Sequence, residues 1–158
     1  MSDLNKDIID VLNDLIETSK NGEKGFNESA EDIKTPAIKT FFTKRAEDCR
    51  QAAAELQSEV RRLGGDPETT TSVAADLHRG WVNLKSMVTG KDDEAILNEV
   101  ERGEDVALKS YKDAREKLVK LNVTTGDPVY ALVQKQLDGV QKNHDEVKAL
   151  RNAARARS

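Results

Sequence analysis

Glu23 and Glu104 stand in two related settings, Asn21-Gly22-Glu23 and Arg102-Gly103-Glu104, and each falls within an otherwise apolar run. His144 interrupts a third run, between Leu137 and Val140 on one side and Val147 on the other. At 100° per residue, Glu23 continues the face of Leu12, Leu15, Ser19, Phe26, Ala30 and Ile33, and Glu104 lies between Val100 and Ala107. These spacings predict ionisable side chains pointing into a helical core. A carboxylate there needs a partner, because an unpaired charge in a low-dielectric interior neutralises instead. One partner is a metal ion. Carboxylate-bridged di-iron and di-manganese bundles take a lone Glu from each of two helices and Glu-x-x-His from each of the others. Glu23, Glu104, His144 and Glu47 are the candidate ligands for iron or manganese, although Glu47 turns outward in a regular helix, where Arg45 and Cys49 face inward and Asp48 lies on the flank. The sequence also has Glu47-x-x-Arg50 and Gln141-x-x-His144 where Glu-x-x-His is called for. The second partner is therefore a cation, Arg45 or Arg50, which would give a metal-free polar network.

Helices must position these groups. Asp3 can cap a first segment running to about Ile33, and Thr35-Pro36 stops it and starts another, since Pro suits the first helical position. The second helix runs from Pro36 to Leu63 on the stripe Ile38, Phe42, Ala46, Cys49, Ala53, Leu56 and Val60, ending at Gly64-Gly65. After the linker "DPETTTS", a shorter segment from about Val73 to Val88 carries Leu77, Trp81 and Leu84. Asp92 opens the next long helix, with Ile96, Val100, Ala107, Tyr111, Ala114 and Leu118 on one face; Asp127-Pro128 opens the last, with Tyr130, Val133, Leu137, Val140, Val147 and Leu150. The four main helices are each about 30 residues, on the order of 45 Å long.

Short connections make the first and last pairs antiparallel hairpins, and a crossover of about 28 residues with its own short helix can climb the length of a bundle. The expected fold is an all-α, ferritin-like four-helix bundle of two hairpins, formed by residues 1–158 as a single domain. A turn near residue 35 puts Glu23 opposite residues 46–48, and one near 124 puts Glu104 level with His144. Gly22 and Gly103 would leave room beside an ion; glycine inside a helix otherwise costs about 1 kcal/mol.

Composition limits the function. The 158 residues carry 25 Lys+Arg against 29 Asp+Glu, a net charge of -4, which argues against a dedicated nucleic-acid binder. Cys49, the single cysteine, fits a reducing compartment and reads as an inert core thiol. The N-terminus lacks the pattern of a signal peptide and no apolar run is long enough for a membrane span, so the expectation is a cytoplasmic protein with no membrane partner. His78 and Tyr111 read as packing or hydrogen-bonding residues. Arg151, Arg155 and Arg157 read as cations complementing a helix C-terminus.

The Leu63-Gly64-Gly65 turn, Leu77-His78-Arg79-Gly80-Trp81, Gly103-Glu104-Asp105, Tyr111 and His144-Asp145 resemble an uncharacterised bacterial four-helix-bundle family, a domain of unknown function in the ferritin-like superfamily. More distantly, Gly22-Glu23 and Gly103-Glu104 are similar to the glutamate motifs of rubrerythrins, whose relatives bind two iron ions and handle peroxide. That resemblance carries Glu23, Glu104 and His144 over as metal ligands, with Glu47 as a fourth; Arg50 and Gln141 depart from it. Two readings stay open. One is a metal-dependent peroxidase or oxidase using iron or manganese. The other is a stress-associated, non-enzymatic structural or interaction protein, possible as a homo-oligomer, whose core Glu, His and Arg residues form a polar network. The missing ligand positions argue against an iron-storage shell.

Overall fold

The computed structural model describes residues 3–67 and 92–157, and all four long helices lie within them. They are α1 (Asp3–Asp32), α2 (Pro36–Arg62), α3 (Asp93–Lys120) and α4 (Pro128–Arg157). The expected helix over 73–88, with His78 and Trp81, lies outside the described residues.

Each helix stops and starts where the local chemistry demands. Pro36 stands at the start of α2 behind Thr35, whose side chain makes no cap. Asp93 of α3 takes over that task. Its carboxylate accepts from the backbone N–H groups of Lys34 (2.8 Å) and Thr35 (3.0 Å) and from the Thr35 hydroxyl (2.5 Å), tying the α1–α2 turn to the beginning of α3. Asp92 caps α3 itself by accepting from Ala95 N–H at 2.9 Å. At the far end of α2, Gly64 takes φ 86° and donates to Arg61, and Gly65 donates to Val60, the paired hydrogen bonds of a Schellman turn. A Cβ on Gly65 would meet Ile9 Cδ1 at 2.7 Å, so the turn also lets the chain pass close to α1. Asn122, at φ 63°, ends α3 with the same pair of bonds, Asn122 to Val119 and Val123 to Leu118.

The hairpins α1–α2 and α3–α4 pack side by side through α1 and α3, which run antiparallel: Ser19 meets Tyr111, and Thr35 meets Asp93. On the opposite side, α2 and α4 scarcely touch. The apolar core is correspondingly split in two. One part gathers Leu12, Leu15, Ile16, Leu56, Val60, Leu118 and Val133; the other gathers Phe26, Ile38, Phe42, Ile96, Leu97, Val100 and Val147. Each such side chain contributes roughly 1.5–3 kcal/mol by leaving water. Between the two parts lies a polar waist, at the height of Gly22, Cys49, Glu104 and Val140.

Candidate functional site

The waist is built around Glu104 and Arg45. Glu104 is 2% exposed and Arg45 6%. Arg45 Nη2 lies 3.5 Å from Glu104 Oε1, while Nη1 donates to Asp48 Oδ2 at 3.3 Å and the guanidinium sits over the Phe26 ring, 5.3 Å from its centroid. Burial pushes the Glu104 carboxyl above its ordinary value, and the Arg45 charge pulls against that shift without cancelling it. For Arg45, burial works against the charged form, but the carboxylates of Glu104 and Asp48 offset it, and the group stays a cation. Among the described residues, neither Glu104 Oε1 nor Arg45 Nε has a hydrogen-bond partner.

A hydrogen-bonded relay crosses the waist beside this pair. Tyr111 donates its hydroxyl proton to Gln136 Oε1 at 2.7 Å, so the Ser19 hydroxyl, 3.2 Å away, is the donor to the Tyr111 oxygen. Gln136 Nε2 continues the line to the backbone carbonyl of Ala52 (3.2 Å) and to Glu55 Oε1 (3.4 Å). All four helices thus contribute. Ser19 and Gln136 were not singled out from sequence. Their signal was present, since Gln136 lies one turn from Val133 and Val140 on the α4 stripe.

The residues expected as ligands have separate fates. At this level of α1 Ser19, Gly22, Phe26 and Ala30 are buried, while Glu23, 100° around from Gly22, is half-buried. Gly22 holds the inward place, and a Cβ there would meet Cys49 Sγ at 3.0 Å, so this glycine makes room for a thiol on α2. Glu47 is exposed and pairs with Arg50 one turn on, through two hydrogen bonds from the guanidinium. His144 Nε2 reaches Asp105 rather than Glu104.

Among the described residues, the His, Cys, Asp and Glu side chains whose ligand atoms come within 4.8 Å of one another are Glu101, Asp105 and His144, at the α3–α4 seam. Glu101 is buried and paired with Arg151, Asp105 is exposed, and the His144 side chain is 13% exposed. Glu101 precedes Glu104 by three residues and follows Leu97 by four, so helical spacing alone could have found it. The donors do not fit a carboxylate-bridged dinuclear centre. Such a centre needs carboxylates converging from all four helices; here a guanidinium lies against Glu104, the most deeply buried carboxylate among the described residues, and Glu47 turns to solvent.

A cavity of about 210 Å³ opens at the waist, between α2 and α4. Phe26, Ala52, Ala107 and Val140 give it apolar walls, Arg45 and Glu104 a polar end, and Gly139 leaves space on α4, where a Cβ would meet nothing within 4 Å. Cys49 borders it. Burial, reinforced by the carboxylates of Glu104, Asp48 and Glu23 and opposed by Arg45, pushes its thiol up to about 12.

Residues 7–117, from α1 almost to the end of α3, match the family described as a domain of unknown function, DUF2383. Among solved structures, the chain is similar to one described as the crystal structure of ferritin-like, diiron-carboxylate proteins from Bacillus anthracis str. Ames. The two are 20% identical, with a TM-score of 0.72 over 95% of this chain and 99% of that one. That likeness shows the architecture: a ferritin-like helical bundle. No curated protein matches the chain.

Proposed function

The chain belongs to the family described as a domain of unknown function (DUF2383), and from that premise we propose a non-enzymatic ferritin-like bundle whose core is held by a metal-free polar network. One observation carries this reading: the Arg45 guanidinium lies 3.5 Å from Glu104, in the place where a metal ion would be needed to balance that carboxylate. A buried carboxylate needs one compensating cation, and here a side chain supplies it. The protein then acts by binding, through its charged surface or by self-association in the cytoplasm, in the stress-associated setting that its resemblance to bacterial bundle proteins implies. The test is elemental analysis of protein purified without chelator or histidine tag, followed by melting with added iron(II) or manganese(II). The reading expects no metal that depends on Glu104 and no change in melting on addition. Stoichiometric metal lost in Glu104→Gln would overturn it.

A second reading has its own support in the Glu101, Asp105 and His144 group. Two carboxylates and an imidazole are ligands for a single iron or manganese ion, and His144 would exchange its contact with Asp105 for the metal. His144→Ala distinguishes the two: it removes metal bound at the α3–α4 seam and leaves the waist intact.

A further inference from the structure

We propose that the outer face of α1 and α3 joins a second copy of this chain, about a two-fold axis parallel to the helices. The proposal rests on the reading of the protein as one that acts by binding, and gives that reading a surface and a partner. The sequence places Asp3, Asp7, Asp10 and Asp14 at i, i+4, i+7 and i+11, along one edge of α1. On α3, Lys117 and Lys120 lie at the same height, since they line one surface groove of about 270 Å³ together with Asp7, Asp10 and Asp14. Asp7, Asp10, Lys117 and Lys120 are exposed, and none of the four makes an ion pair among the described residues. Asp113, the acidic neighbour on α3, is already held by Lys109 at 3.0 Å. One face therefore carries an acidic row on one helix and a basic row on the next, facing each other across the groove.

Such a face is its own complement. A two-fold axis parallel to the helices sets α1 of one copy against α3 of the other at unchanged height, so each acidic row meets a basic row, twice over by symmetry. An axis across the helices would instead set α1 against α1, acid on acid, and the charges oppose it. Apolar contact comes from the groove floor. Val11 and Leu121 line it, and Leu4, two turns before Val11 on the same edge of α1, is 48% exposed. About twelve residues of each helix, side by side, make a patch of about 18 Å by 20 Å, on the order of 700 Å² buried in total. That is the size of a weak, reversible contact whose partner is chosen by charge.

The test is sedimentation velocity on the full chain over a concentration series, with charge-swapped variants. Wild type is expected to form a reversible dimer at low salt and to dissociate as NaCl rises from about 50 mM to about 500 mM and screens the rows. Asp7→Lys with Asp10→Lys reverses the acidic row, and Lys117→Glu with Lys120→Glu reverses the basic one; each pair of changes should weaken self-association by roughly tenfold or more. Mixed together, the two variants should form a heterodimer, and all four changes in one chain should restore the homodimer. The four positions are exposed, so melting temperatures should stay close to that of wild type. A wild type that stays monomeric throughout, or a mixture that does not associate, would overturn the proposal. So would dimers indifferent to every swap, which would leave self-association standing on another surface. Elemental analysis of the same samples addresses the metal-free core separately: metal lost in Glu104→Gln overturns that reading, whatever the state of association.

Discussion

Arg45 and Glu104 neutralise one another across the middle of the bundle, 3.5 Å apart and both withdrawn from water. Removing one member leaves the other charge buried. Glu104→Ala is expected to cost about 3–5 kcal/mol, and Glu104→Gln less, because the amide keeps an acceptor without a charge to desolvate. Replacing both, as Arg45→Met with Glu104→Leu, should recover most of the loss. Urea denaturation of the wild type, Arg45→Met, Glu104→Leu and the double variant closes the double-mutant cycle, and strict additivity would show that the pair is not coupled.

Tyr111→Phe removes the middle of the relay from Ser19 to Gln136 and leaves a buried acceptor and a buried donor without their partner. The expected loss is about 1–3 kcal/mol. Adding Gln136→Leu to Tyr111→Phe should cost less than the sum of the two single changes.

Asp93 gives a dependence on pH with a definite sign. Partial burial pushes its carboxyl up, but the Thr35 hydroxyl and the N–H groups of Lys34 and Thr35 outweigh that and hold it below its ordinary value of 3.8. A carboxyl lowered on folding stabilises the native state above the unfolded value and loses that contribution as pH falls through the folded one. Asp93→Asn should therefore destabilise the protein most near neutrality. The gap to wild type should narrow in acid, as measured by denaturation at pH 7 and below pH 4. A gap independent of pH would contradict the assignment.

With its thiol pushed up to about 12, Cys49 should be almost entirely protonated at pH 8. Iodoacetamide should label the native protein about three orders of magnitude more slowly than an ordinary free thiol, since the thiolate is the reactive form. Unfolding in urea should restore the normal rate.

The helices were legible from sequence because their signals agreed. Apolar stripes at helical spacing, Pro36 and Pro128 at the starts, and Gly64 at a stop all indicated the same boundaries. Glu104 was also legible, since a carboxylate between Val100 and Ala107 has nowhere to point but inward. Glu23 was harder. It shares the i+3 and i+4 relations of an inward residue with Phe26 and Ser19, but Gly22 does too, and only the close approach of Cys49 decides which of them faces α2. The partner of His144 depended on the register between α3 and α4, which periodicity within one helix does not carry. The same holds for the gap between α2 and α4, a relation between two stripes that each look complete alone.

The split core gives the bundle two cooperative ends. Leu12, Leu56 and Leu118 support one another, as do Phe26, Phe42 and Ile96, and the waist between them offers hydrogen bonds and a cleft in place of continuous apolar packing. Opening at one end therefore has a natural stopping point, and native-state amide exchange would resolve the halves as separate protection classes. The line of hydrogen bonds from Ser19 through Tyr111 to Gln136 joins them. It acts as the rung between two local folding units, and cutting it would let each end exchange on its own.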